Sequence, residues 1–259
     1  MQKITIKKIL KKKNKTPITC LTAYSKKIAQ IADKYCDIIL VGDSLSMVLY
    51  GMKSTREVSL EMMILHAKSV RQGISKSTFV VDMPYKSYRN KIEAYKNAKK
   101  VIKETKCDAL KLEGGMKIFP IVKYLVEKNI PIMGHIGLLP QSERGKFRYK
   151  GKSKIERKNI FKDAISLEKA GVFSIVIECV EKSLAKLISK SIKVPTIGIG
   201  ASEECDGQIL VTDDLIGLTT NPPKFVKKYL NIKGLINKTI SKYRQDVINR
   251  KFPTKKNLY

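Results

Sequence analysis

The chain has 259 residues, 43% of them hydrophobic, and a formal charge of +29 from 52 Lys and Arg against 23 Asp and Glu. That length suits one large α/β domain, and no apolar run approaches the roughly 18 residues a spanning helix needs, so a soluble protein without a membrane partner is expected. Lysine far outnumbers arginine and is spread along the whole chain. A nucleic-acid reader concentrates arginine and aromatics in one stripe, so no specific nucleic-acid partner is expected.

The N-terminal stretch Met1 to Thr16 carries lysines without a following apolar region, unlike a signal peptide. Its Ile4, Ile6, Ile9 and Leu10 suggest a short amphipathic segment. Ile18 to Tyr24 reads as a strand, and Ser25 to Tyr35 as a helix with Ile28, Ile31 and Ala32 on its apolar face. Asp37 to Ser44 is a second strand, followed by a polar loop, a helix over Leu60 to Arg71 and the strand Phe79 to Asp82. A helix from Lys91 to Glu104 leads into Ala109 to Glu113, where Leu110 and Leu112 alternate with Lys111 and Glu113. Period two puts Lys111 and Glu113 on one face, and Gly114-Gly115 ends the strand.

Ile118 to Lys128 is helical and Pro131 to His135 is the fifth strand. Leu138 to Lys158 is a long basic excursion. A helix over Ile160 to Ala170, the strand Ser174 to Glu178, a short helix over Lys182 to Ser189, the strand Pro195 to Gly200 and an eighth strand over Gln208 to Val211 follow. Helices fill the rest to Arg250, and the tail from about 251 to 259 is polar. Eight apolar strands alternating with amphipathic helices predict a single-domain (β/α)8 TIM barrel of class α/β spanning 1–259. The five cysteines form no C-x-x-C pair and are odd in number, which suits reduced thiols in a cytoplasmic protein.

In such a barrel the functional rim lies at the C-terminal strand ends. Here those ends carry Asp43-Ser44, Asp82, Glu113, His135, Glu178 and Gly198 to Ser202. Acids converging on one rim repel, which raises a pKa or demands a cation. An all-oxygen set favours a hard ion such as Mg²⁺ over zinc, because the chain has only two histidines and no cysteine in a ligand pattern.

These residues carry a resemblance to the ketopantoate hydroxymethyltransferase family over about Ile4 to Ile248. It rests on Leu21-Thr22-Ala23-Tyr24, Val41-Gly42-Asp43-Ser44-Leu45, Lys111-Leu112-Glu113-Gly114-Gly115 and Gly134-His135-Ile136-Gly137-Leu138 with Pro140-Gln141-Ser142. Glu178-Cys179-Val180, Ile197-Gly198-Ile199-Gly200-Ala201 and Asp206-Gly207-Gln208-Ile209-Leu210 complete it. The resemblance implies a Mg²⁺-dependent barrel, assembled as a homodecamer. Its reaction would move a one-carbon unit from 5,10-methylenetetrahydrofolate to 3-methyl-2-oxobutanoate, giving 2-dehydropantoate on the way to pantothenate and coenzyme A.

It further implies metal-site acids at Asp43, Asp82 and Glu113, 2-oxoacid contacts at Asp43, Ser44, Asp82 and Lys111, a site histidine at His135 and a general base at Glu178. Ser46, Leu139 and Ser202 depart from the family pattern without touching those positions. Lys146, Arg148, Lys150, Lys152 and Lys154 in the excursion are expected to attract the anionic tail of a polyglutamylated folate. The alternatives are a Mg²⁺-dependent 2-oxoacid lyase or mutase of the related barrel superfamily and an inactive polyanion-binding barrel. The first would bring a catalytic cysteine on a mobile loop, a feature not found in this sequence.

Overall fold

A computed structural model describes residues 2–143 and 148–259. Residues up to 211 form one compact unit and 212–259 a second.

In the first unit, eight strands close into a parallel barrel in sequence order: β1 (Ile18–Thr22), β2 (Ile38–Val41), β3 (Thr78–Asp82), β4 (Ala109–Glu113), β5 (Ile132–Gly137), β6 (Ser174–Glu178), β7 (Thr196–Ile199) and β8 (Gly207–Leu210). The predicted (β/α)8 barrel is therefore the fold. Its helices are α1 (Ile6–Lys11), α2 (Lys26–Ala32), α3 (Leu45–Val48), α4 (Leu60–Arg71), α5 (Lys91–Thr105), α6 (Phe119–Glu127), α7 (Lys154–Ala170) and α8 (Lys182–Ser191).

Period two sorts each strand between two cores. Ile39, Val41, Phe79, Val81, Leu110, Leu112, Ile175 and Ile177 face outward, into the layer under the helices. Ile18, Cys20, Ile38, Leu40, Val80, Ala109, Met133, Val176, Ile197 and Ile209 face inward, and Ile9 of α1 joins them fully buried. The N-terminal amphipathic segment is thus part of the inner core. The same inner face turns polar towards the strand C-termini. Val80 is followed two residues on by Asp82, Ala109 by Lys111 and Glu113, Met133 by His135, and Val176 by Glu178. The rim residues are the upper layers of the barrel's own interior.

Two local expectations need correction. Ile31 is 59% exposed; α2 instead buries Ala29 and Ala32, and the small Ala29 side chain meets Gly73 just past α4, where an added Cβ would stand 2.8 Å away. The excursion after β5 is also shorter than expected. Ser153 caps α7 by accepting the Glu156 N–H, so the helix starts at Lys154, six residues before the predicted Ile160. Lys146 lies outside the described residues. Of the excursion's other cations, Arg148 pairs with Glu156 and Lys150 with Glu143, while Lys152 sits over the Tyr149 ring.

The closing seam between β8 and β1 depends on Gly207. A Cβ there would stand 2.4 Å from the Ile18 carbonyl oxygen and 2.7 Å from the Ile18 Cβ. Neither atom moves without parting the strands. Gly207→Ala is expected to cost about 1–3 kcal/mol. Urea unfolding checks this, with the midpoint lowered and the slope unchanged.

The second unit contains α9 (Thr212–Leu215) and α10 (Ile232–Ile248). No residue of α10 is buried, and Ile236, Ile240, Tyr243 and Val247 make an exposed apolar stripe at helical spacing. All five cysteines are free thiols, and no helix among the described residues is long and apolar enough to cross a membrane.

Candidate active site

Strand register explains most of the site. Asp82 is the register partner of Lys111 and Glu113 that of His135, so each pair shares the inner face on adjacent strands. Lys111 Nζ lies 2.8 Å from Asp82 Oδ1. His135 lies with Nδ1 3.3 Å from Glu113 Oε2 and Nε2 3.1 Å from Glu178 Oε2. Asp43, two residues past the end of β2, is positioned by its own backbone, its N–H donating to Asp82 Oδ2 at 3.0 Å. Ser44 follows it, with Oγ 2.7 Å from the Tyr24 hydroxyl. The structure therefore brings all seven predicted residues, Asp43, Ser44, Asp82, Lys111, Glu113, His135 and Glu178, to one rim. Asp206, another residue of the motifs, is elsewhere: it accepts from Lys13 and the Thr196 and Asn14 amides, tying the N-terminal segment to β7.

Burial makes these charges interdependent. Asp43, Asp82, Lys111, Glu113 and His135 are all buried, while Glu178 keeps 19% of its side chain exposed. Burial, then the neighbouring Asp82 charge, pushes the Asp43 carboxyl up to about 8. Burial opposes the Lys111 charge, yet Asp82, Asp43 and Glu113 outweigh it and raise its pKa. Burial and Lys111 likewise oppose a charge on His135, but its contacts with Glu113 and Glu178 carry it up to about 9.

Sequence reasoning quoted Gln141 but assigned it no role. This residue, in the loop after β5, is buried and reaches across the rim. Its backbone N–H donates to Glu113 Oε1 at 2.6 Å, and its side-chain amide donates to Asp43 Oδ2 at 2.8 Å. Polar side chains in a loop carry no periodic signal, so only the buried placement reveals it. Gly137 is the other overlooked position. It holds φ +95°, and a Cβ there would stand 2.4 Å from the Glu178 carbonyl oxygen, so the neighbouring strand end needs glycine.

The donor set fits a hard divalent cation. Asp82 Oδ1 is buried and, although close to Lys111, accepts no hydrogen bond of good geometry. Once Asp43 gives up its proton, Asp43 and Asp82 together hold more negative charge than Lys111 balances. Among the described residues, however, no three His, Cys, Asp or Glu side chains converge closely enough to cage a metal. Glu113 has one oxygen on the Gln141 amide and the other beside His135. The arrangement suits an ion held by Asp43 and Asp82, with the remaining positions taken by water and substrate, as Mg²⁺ prefers.

The sign of pH dependence follows. Asp43 keeps its proton in the folded, metal-free chain up to about 8 and loses it near 3.8 when unfolded, so its contribution falls as pH rises between those values. His135, raised from 6.5 to about 9, contributes fully below 6.5 and loses that contribution as pH rises through 9. A cation competes with the proton on Asp43. Added Mg²⁺ is therefore expected to raise Tm more at pH 9 than at pH 6.5. Thermal scans showing an equal or larger gain at the lower pH would remove Asp43 from the cation site.

Parallel strands closed into a barrel, with a buried set of carboxylates, lysine and histidine at their C-terminal rim, define an enzyme of the (β/α)8 class. The chain belongs to the ketopantoate hydroxymethyltransferase family, which matches residues 3–255. It is 61% identical to the 3-methyl-2-oxobutanoate hydroxymethyltransferase of Pelagibacter ubique (strain HTCC1062) over 98% of this chain and 99% of the relative. It is 45% identical to that of Phenylobacterium zucineum (strain HLK1), over 100% and 95%. Among solved structures, phosphonopyruvate hydrolase shares the fold with a TM-score of 0.67 at 12% identity, over 99% of this chain and 93% of that one.

Proposed function

We propose that this chain transfers a hydroxymethyl group from 5,10-methylenetetrahydrofolate to 3-methyl-2-oxobutanoate, forming 2-dehydropantoate, in the cytoplasm and with Mg²⁺ bound. Family membership over nearly the whole chain supports the reaction. The observation that carries the assignment of roles is the continuous inner-face array Asp82–Lys111 and Glu113–His135–Glu178.

The reaction needs the C3 proton of the 2-oxoacid removed, both C–N bonds of the one-carbon unit broken so that tetrahydrofolate leaves with the protons, and that carbon joined to the C3 carbanion with its hydroxyl oxygen supplied by water. Glu178 is the partly exposed acid of the rim and is assigned the C3 proton. His135, protonated between Glu113 and Glu178, places positive charge beside that carboxylate. Lys111 places a permanent positive charge where the keto oxygen becomes anionic, and Ser44, steadied by Tyr24, is a donor for the substrate carboxylate. A bound divalent cation on Asp43 and Asp82 would supply Lewis-acid polarisation of the 2-oxo group. The deciding assay is consumption of 3-methyl-2-oxobutanoate that requires both methylenetetrahydrofolate and Mg²⁺. Turnover without the folate would favour a lyase or mutase.

The exposed apolar stripe of α10 supports a homo-oligomer, the decamer being the form the family implies, since such a face needs a cover. In the excursion, Arg148 and Lys150 are engaged internally, so Lys152 and Lys154 are the cations assigned to a polyglutamate tail. Lys152→Ala with Lys154→Ala is expected to raise KM for a polyglutamylated folate severalfold at low salt, on the scale of about 1 kcal/mol, and to leave kcat alone. An unchanged KM would dismiss this role.

A further inference from the structure

Each of the three buried rim acids has one oxygen already engaged by an amide N–H. Asp82 Oδ2 accepts from the Asp43 backbone at 3.0 Å. Asp43 Oδ2 accepts from the Gln141 side chain at 2.8 Å, and Glu113 Oε1 from the Gln141 backbone at 2.6 Å. One residue therefore supplies two of the three caps.

The Gln141 amide has no freedom to turn. Its second N–H donates to the Met83 carbonyl at 3.1 Å, and its Oε1 accepts from the Tyr88 hydroxyl at 2.6 Å. A flipped amide would set its oxygen against the Met83 carbonyl and the Asp43 carboxyl group. Burial at 4% exposure leaves no water to compensate.

This geometry bears on which cation the rim accepts. A carboxylate that chelates with both oxygens places the ion near its bisector, and an amide proton aimed at one oxygen opposes that. Ca²⁺ collects six to eight oxygens and commonly takes carboxylates bidentate. Mg²⁺ takes six at shorter range, retains waters and accepts single oxygens. We propose that Gln141 is the residue that sets cation selectivity: by capping Asp43 Oδ2 it restricts that ligand to one-oxygen coordination, as the Asp43 N–H does for Asp82, and favours a small six-coordinate ion, Mg²⁺ or Mn²⁺, over Ca²⁺. This rests on the cation site proposed above.

The test reads binding without substrate or turnover. Mn²⁺ bound to the full chain is followed by electron paramagnetic resonance and displaced with Mg²⁺ or Ca²⁺. In the unsubstituted chain Mg²⁺ displaces Mn²⁺ at lower concentration than Ca²⁺ does. Gln141→Met keeps the length and volume but removes the side-chain donor, freeing Asp43 Oδ2. The Mg²⁺-to-Ca²⁺ preference is expected to fall on the order of tenfold, the usual scale for losing a residue that orients a metal ligand. Tyr88→Phe removes the bond that holds Gln141 and shifts the preference the same way by less. The double variant adds nothing beyond Gln141→Met, because Tyr88 acts through Gln141. Equal weakening of both ions in Gln141→Met means a merely structural residue and overturns the proposal. If that variant fails to fold, an unshifted preference in Tyr88→Phe overturns it instead. An unsubstituted chain that binds Mn²⁺ but does not prefer Mg²⁺ overturns this inference alone. One that binds no Mn²⁺ overturns the cation site as well.

Discussion

Glu178→Gln is expected to abolish most of the exchange of the C3 hydrogen of 3-methyl-2-oxobutanoate with heavy water, measured with Mg²⁺ and no folate. With Glu178 as the base, proton removal needs no one-carbon donor, so the exchange isolates that step. Glutamine keeps the shape and can still face His135 Nε2, which lies 3.1 Å from the present carboxylate. It cannot take a proton. Loss of one positioned base lowers such a rate by about 10²–10⁴-fold, while Mg²⁺-dependent binding of the 2-oxoacid persists. Undiminished exchange would move the base to another rim residue. His135 would be the first to test, although its pKa of about 9 and its two carboxylate neighbours suit it better to holding Glu178 than to accepting a proton.

The second large effect belongs to Asp82, and the structure changes how it must be probed. Alanine would remove the partner of Lys111, whose side chain is only 8% exposed. An unpaired buried ammonium costs about 3–5 kcal/mol, so Asp82→Ala would confound folding with binding. Asp82→Asn removes the charge as alanine does, but it keeps the side-chain volume and one carbonyl oxygen, which can accept from either Lys111 or the Asp43 N–H, so less is lost. It is expected to fold, to lose Mg²⁺-dependent 2-oxoacid binding by calorimetry, and to lose C3 exchange with it. Retained binding together with lost exchange would show that Asp82 acts in chemistry and not in holding the cation. Glu178→Gln and Asp82→Asn thus separate along one axis, exchange without binding loss against loss of both.

Much of this site was legible because barrel strands obey period two. Once Ala109 to Glu113 is read as a strand with one face inward, Lys111 and Glu113 must share the interior, and Val80–Asp82, Met133–His135 and Val176–Glu178 repeat the pattern. Reading failed where local pattern carries little information. The start of α7 lay in the Ser153–Glu156 cap, inside a stretch whose lysines and glycine looked like loop. Ile31 fitted a helical stripe, yet the buried side of the helix carries the smaller Ala29 and Ala32, with Ala29 against Gly73 beyond α4. The partners of Glu113, the Gln141 amide on one oxygen and His135 beside the other, were likewise beyond what a local pattern announces.

By itself the sequence determined the barrel, the family and the set of rim residues, because alternation, strand-end chemistry and ordered short motifs are all local or ordinal properties. Tertiary structure alone decided the pairing and protonation of those residues. Which acid faces Lys111 depends on the β3–β4 register, and how far Asp43 is driven up depends on its burial beside Asp82. Gln141 meets Asp43 across 98 residues of chain, a contact made only when closing the barrel brings the loop after β5 over the end of β2. Long-range electrostatics and hydrogen bonding in a water-poor interior depend on distance in space, and spacing along the chain does not encode that distance.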